Sequence, residues 1–218
     1  ANGAQRAGVI ETMMRWLPLI LFGPPGQVGG FALNILVSFL TMAIGIDGAE
    51  RRRKVPTIVN LAVPLRWSNF LDAPPGAFFW DGRARSLEEQ ALEPIANPIE
   101  MGTTHAAMID RLGRIRSYAR YFAAAFGTQA ISKERVAHAI ADYVRTRMSG
   151  NSRFDRWITH TEPAALSAQE QRGWGLFAGP AQCGRCHRPP LFTDGQFHNL
   201  GIGWDPATRR FGDDGRHA

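Results

Sequence analysis

"CGRCH" occupies Cys183–His187, and its two cysteines are the only ones in the 218-residue chain. Two thiols three positions apart, followed at once by an imidazole, form a specific pattern: C-x-x-C-H is a c-type haem attachment signal. Each sulfur can add to one vinyl group of the porphyrin, and the adjacent histidine is then aimed beneath the ring, where a nitrogen ligates iron. A longer gap would misalign the sulfurs, and a displaced histidine would miss the metal. A zinc site wants four ligands from two separated pairs; only His198 and His217 could complete one, and His187 is too close to Cys186 to chelate beside it. A dithiol redox pair needs no following histidine and belongs with a thioredoxin-like βαβ context, of which the chain carries no sign. Haem c is therefore the expected cofactor, with Cys183 and Cys186 as thioether residues and His187 as axial ligand. Thioether attachment to haem is made outside the cytoplasm, so periplasmic residence is expected.

The residues around the motif fit the same use. Arg188 is placed to reach a haem propionate, and Pro189 and Pro190 stiffen the path out. His198 reads as a packed or hydrogen-bonded loop histidine, with a second iron ligand as the alternative. Upstream, "LSAQEQRGWGLFAG" has the capping-box pair Ser167 and Glu170 and ends at Gly179, so a helix delivers the chain to the motif. "ISKERVAHAIADYVRTRMSG" repeats Val136, Ala139, Ile140, Tyr143 and Val144 at helical spacing, with Gly150 as its stop. "SLEEQALEPI" opens with Ser86 and Glu89 as a capping box and is expected to stop at Pro94. Another helix is expected after Thr104, with Met108, Ile109, Leu112 and Ile115 on one face. No run alternates over strand lengths. The expected fold is mainly α, with cytochrome c-like helical haem domains and long ordered loops.

Composition sets the outer bounds. Hydrophobic residues at 44% and charged residues at 20% describe a globular chain rather than a disordered one. The net charge of +6 comes from arginine, since Lys54 and Lys133 are the only lysines. The dense cluster Arg51-Arg52-Arg53-Lys54 has no interleaved aromatic residues for base stacking, so it reads as a solvated basic loop and no nucleic-acid partner is expected. No apolar stretch reaches the ~18–20 residues of a spanning helix. Phe31–Gly45 has the length of a signal-peptide core, but it lies too far in and lacks a small-residue cleavage site.

"FFWDGRARSLEEQALEPIANPIEMG" (Phe78–Gly102), with "VPTIVNLA" before it and the CGRCH segment after it, resembles the bacterial di-haem cytochrome c peroxidase family, which includes the MauG-like enzymes. The resemblance runs over roughly residues 45–218. It implies that a C-terminal haem collects electrons and passes them to an N-terminal haem, where hydrogen peroxide is reduced to water. It also implies an electron-relay tryptophan matched by Trp80, and a glutamine and a glutamate lining the peroxide pocket, matched by Gln90 and Glu100. The spacing is ten from Trp80 to Gln90 and ten again to Glu100. A carboxylate can carry a proton from the near peroxide oxygen to the departing one, and an amide can hold peroxide without titrating. Taken singly, each of the three reads as a structural residue; the resemblance assigns them as a set. The implied partners are a small electron-donor protein (cytochrome c or cupredoxin) and hydrogen peroxide, with a homodimer as a further expectation.

The chain also departs from the family pattern. The family's first haem is attached by a second CxxCH upstream of "VPTIVNLA", where this chain has no cysteine, so one haem is attachable here where the family has two. Ile46 stands where many members carry a distal histidine. Lys54 stands at a calcium-binding asparagine, and an ammonium there argues against calcium. The expected organisation is residues 1–44 as an unassigned, aberrant segment, 45–165 as the remnant of the peroxidatic domain, and 166–218 as the start of a truncated electron-transfer domain. An incomplete or altered reading of a di-haem enzyme gene would account for this, leaving the chain as given inactive. The alternatives are a single-haem descendant that carries electrons without catalysis, and a MauG-like enzyme that oxidises residues of another protein.

Overall fold

The computed structural model describes Gly48, residues 55–61 and residues 78–213. Residues 1–44, Ile46, the Arg51–Lys54 cluster and His217 lie outside the described residues. Among those described, the chain is mainly helical: α1 (Leu87–Ala96), α2 (His105–Gly113), α3 (Arg116–Phe126), α4 (Lys133–Arg145), α5 (Arg153–Ile158) and α6 (Ala168–Ala178). A 3-10 turn, Cys183–Arg185, and a two-residue antiparallel pair, β1 (Trp204–Asp205) with β2 (Arg210–Phe211), complete the regular structure. None of the described helices is long and apolar enough to cross a membrane. The described residues fall into two compact units. One comprises Gly48, 55–58 and 78–146; the other comprises 59–61 and 147–213.

The first unit is built on α1–α4. Ile95, Met108, Leu112, Tyr118, Phe122, Val136 and Ala139 form its core, one or two from each helix. The helices start where side-chain caps are available. Thr104 accepts the Ala107 amide at 3.1 Å and Ser132 the Arg135 amide at 3.3 Å, each capturing a donor that has no partner within its helix. At α1 only half of the expected capping box forms. Ser86 accepts the Glu89 amide at 3.1 Å, but the Glu89 carboxylate takes the Arg85 amide at 2.7 Å rather than that of Ser86. Pro94 does not stop α1, contrary to the sequence expectation. It lies inside the helix, where it removes only the amide that would reach the Gln90 carbonyl, and the helix runs on to Ala96. Glu88 then ties α1 to α4, with Arg145 Nη1 at 2.8 Å and His138 Nδ1 at 3.5 Å.

The helix expected after Thr104 is shorter than its pattern. It ends at Gly113, and Ile115 becomes the residue that opens α3, a helix the sequence reading did not contain. α4 also ends early, at Arg145 rather than Gly150, because the Thr146 hydroxyl donates to the Tyr143 carbonyl at 2.6 Å and closes the last turn.

The second unit is held by local polar clamps and a cluster of rings. Asn60 and Ser149 exchange two hydrogen bonds of 2.8 Å, which fix the 59–61 segment to residues far along the chain. Both α5 and α6 begin with complete capping boxes, Ser152 with Asp155 and Ser167 with Glu170. Arg153 grips the Glu170 carboxylate with both terminal nitrogens at 2.8 Å and donates through Nε to the Ala165 carbonyl. Phe154, Trp174, Phe177 and Phe192 pack edge-on or stacked, with centroids 4.9–6.4 Å apart.

Candidate haem-binding and peroxide-handling sites

The CGRCH segment follows directly from the end of α6. At Gly179 an added Cβ would sit 2.7 Å from the Gly175 carbonyl oxygen, so the close turn out of the helix admits only glycine. Cys183–Arg185 then forms one tight turn, with the Cys186 and His187 amides both on the Cys183 carbonyl. Such a turn sets residues i and i+3 on one side of the backbone, although here the Cys183 sulfur turns toward the Ala181 carbonyl at 3.7 Å. Cys183 is exposed and Cys186 half-buried, both as free thiols.

His187 Nδ1 lies 2.9 Å from the Phe192 carbonyl oxygen. A carbonyl can only accept, so Nδ1 carries the hydrogen and the neutral ring keeps its lone pair on Nε2. A histidine that ligates metal is oriented by a partner of this kind. Its ring also meets Phe177, with centroids 6.5 Å apart. Phe192 was not foreseen as part of the site, and its role is a backbone one that no side-chain motif signals. Two thiols, an oriented imidazole, a wall of Phe177 and Phe192, and exposed Leu176 fit haem c in donor chemistry and in apolar surroundings. Arg188 is committed through Nε to the Arg185 carbonyl at 3.2 Å. His198 is a hydrogen-bonded loop histidine, with Nε2 2.8 Å from Asp194 Oδ2.

Trp80, Gln90 and Glu100 all lie in the first unit. Trp80 sits in a tight turn closed by a bridge between Phe78 and Ala84 and is 56% exposed, more than a core anchor would be. The turn is braced by a residue the sequence reading did not single out. Arg83 bonds Asp81 and Glu93, each at 2.7 Å, and its guanidinium carbon stands 3.7 Å from the centre of the Phe79 ring. That brace matters because Phe79 holds a left-handed backbone (φ 66°), a conformation bulky residues rarely adopt. Burial pushes the Asp81 carboxyl up, but the Arg83 hydrogen bonds and charge outweigh it and hold the group below its usual range.

Gln90 is half-buried on α1, and Glu100 is half-buried in the loop that follows. Glu100 Oε1 accepts from Asn97 Nδ2 at 2.8 Å, while the Asn97 carbonyl takes the Glu100 and Gly102 amides. Asn97 thereby fixes both the backbone and one carboxylate oxygen of Glu100. The first unit has no cysteine, so this chain offers it no thioether attachment.

A profile described as di-haem cytochrome c peroxidase matches residues 33–163. The methylamine utilization protein MauG of Methylorubrum extorquens is 40% identical over 164 residues, 75% of this chain and 43% of that protein. Cytochrome c551 peroxidase of Nitrosomonas europaea is 32% identical over 163 residues, 75% of this chain and 45% of that one. Among solved structures, a MauG-like protein associated with microbial copper homeostasis aligns with a TM-score of 0.56 and 28% identity over 72% of this chain and 45% of the other. The diheme peroxidase BthA of Burkholderia thailandensis aligns with a TM-score of 0.52 and 32% identity over 66% and 40%. The chain thus spans less than half the length of the curated relatives it matches. Its motifs, its helical fold and these likenesses agree: the chain belongs to the di-haem cytochrome c peroxidase family.

Proposed function

We propose that this chain is a periplasmic c-type haem oxidoreductase of the peroxidase kind, reducing hydrogen peroxide to water with electrons from a small redox protein such as a cytochrome c or a cupredoxin. The observation that carries the reading is the His187–Phe192 hydrogen bond beside the paired cysteines, which leaves Nε2 as the ligating nitrogen. Cys183 and Cys186 would hold the haem covalently, His187 would ligate its iron, and a terminal nitrogen of Arg188 would contact a propionate. Bound there, the haem supplies one-electron transfer from the donor.

The overall reaction takes up two electrons and two protons per peroxide and releases two waters. Where the first unit holds a haem of its own, which no cysteine of this chain attaches, Gln90 would orient the peroxide through its amide and Glu100 would move the proton, with Oε2 as the working atom because Oε1 is engaged by Asn97. Trp80 is the relay residue, held in position by the Arg83 brace. The test is peroxide consumption by matured protein supplied with reduced cytochrome c, compared with Glu100→Gln. Loss of about 100-fold or more in kcat at unchanged haem content is expected; equal turnover would remove Glu100 from the mechanism.

Two other readings have specific support. The single CxxCH favours a mono-haem electron carrier, which would be reduced and reoxidised without consuming peroxide. Ile46, where many members have a distal histidine, together with the MauG likeness, favours oxidation of residues in a partner protein. That reading is recognised by turnover with a protein substrate in place of reduced cytochrome.

A further inference from the structure

Asp194 and His198 stand beside Cys186, and nothing in the haem assignment uses them. One ligating atom from each of Cys186, Asp194 and His198 lies within 4.8 Å of the others, and among the described residues this is the one such cluster of three. The Asp194 carboxylate is preset: Oδ1 accepts the Gln196 amide at 3.0 Å, which leaves Oδ2 for His198 at 2.8 Å. Cys183 is not in the cluster. Its sulfur turns toward the Ala181 carbonyl at 3.7 Å.

We propose that, while the thiols are still free, Cys186, Asp194 and His198 bind a divalent ion of the zinc type, and that this ion and a haem vinyl group compete for the Cys186 sulfur. Thiolate, imidazole and carboxylate are the three ligand types zinc takes, at bond lengths of about 2.0–2.3 Å. A tetrahedral site of those bonds has ligand atoms about 3.3–3.8 Å apart, so the cluster must tighten by about 1 Å from its widest separation. The fourth position is left to water, because Cys183 faces away. Binding exchanges one proton for metal: the Cys186 thiol loses its proton as the sulfur–metal bond forms, and the ring hydrogen shared with Asp194 moves to Nδ1, so that His198 ligates as a neutral imidazole. In the competing reaction the same sulfur bonds a vinyl carbon, and the thiol proton ends on the neighbouring carbon, with no net oxidation or reduction. One sulfur cannot do both, since its thioether has lost the anionic charge the metal requires. The metal half of this proposal needs only free thiols and does not rest on the haem reading.

The test is titration of the full reduced chain, produced without haem attachment, with Co²⁺ as the spectroscopic stand-in for zinc. One ion per chain with four-coordinate absorption and charge transfer from a single thiolate is expected. Cys186→Ser should abolish it, His198→Gln and Asp194→Asn should weaken binding at least about tenfold, and Cys183→Ser should leave it unchanged. No binding, equal loss in Cys183→Ser and Cys186→Ser, or indifference to His198→Gln would overturn the site. For the competition, haem attachment in the presence of zinc should yield chains joined through Cys183 alone, read from the masses of the proteolytic peptides. Two thioethers with and without zinc would refute it. A chain that attaches no haem under any condition sinks the haem reading instead, and the Co²⁺ titration still decides the metal site.

Discussion

In the first unit Met108, Leu112, Tyr118 and Phe122 are each about 1% exposed, contributed by two adjoining helices. In the second, Ala165 is the only buried hydrophobic residue described, and the ring cluster of Phe154, Trp174, Phe177 and Phe192 stays half-buried around His187. The first unit closes a core with its own side chains. The second keeps its aromatic surface beside the CGRCH segment, and holds its helices in place with caps and the Arg153 clamp. Substitutions should therefore register in the first unit as lost burial and in the second as lost local bonds.

The largest contrast is expected from cavities. Phe122→Ala should destabilise the first unit by about 3–5 kcal/mol, whereas Trp174→Ala should cost the second only about 1–2 kcal/mol, chiefly its pairings with Phe154 and Phe177. Native-state hydrogen exchange reads both, because it separates the amides of the two units. Equal costs would break the contrast.

A smaller effect of opposite sign sharpens it. The Tyr118 hydroxyl is buried without a hydrogen-bond partner, and burial pushes its phenol pKa far up. Tyr118→Phe removes that unsatisfied group while keeping the ring, so the first unit should gain about 1 kcal/mol in denaturant unfolding. A loss of stability would mean that the hydroxyl is paired in solution.

The mildest test is pH. The Ser167 amide, then the Arg153 and Ser167 side chains, hold the Glu170 carboxyl down at about 2 from an ordinary 4.5. A carboxyl lowered on folding contributes stability that is complete above its unfolded value and fades as pH falls through the folded one. The second unit should therefore weaken between pH about 4.5 and about 2, and Glu170→Gln should flatten that slope in acid unfolding curves. Because the Glu170 side chain is exposed, the effect should also shrink with added salt.

What the sequence made legible was local. The caps at Thr104 and Ser167 and the stop at Gly179 each depend on residues within one or two turns, and each stands in the structure as read. The half-box at Ser86 escaped because Glu89 had a nearer amide at Arg85. α3 escaped because Ile115 looked like the end of one helix and is the start of the next. α5 escaped because it is one and a half turns long, and its capping box uses the shorter carboxylate of Asp155. The Phe192 carbonyl on His187 and the Asp194–His198 pair beside Cys186 are products of loop closure, which no residue pattern announces. Trp80, Gln90 and Glu100 were legible only as a family set, and the turn, helix and loop that carry them add the Arg83 and Asn97 braces.

The most direct check on the haem assignment is the mass and pyridine haemochrome spectrum of the full chain matured in a periplasm competent for haem attachment. One haem per chain, joined by two thioethers to Cys183 and Cys186 and lost in the double alanine variant, is the expected result. Colourless protein with both thiols free, or haem retained after both cysteines are removed, would contradict it.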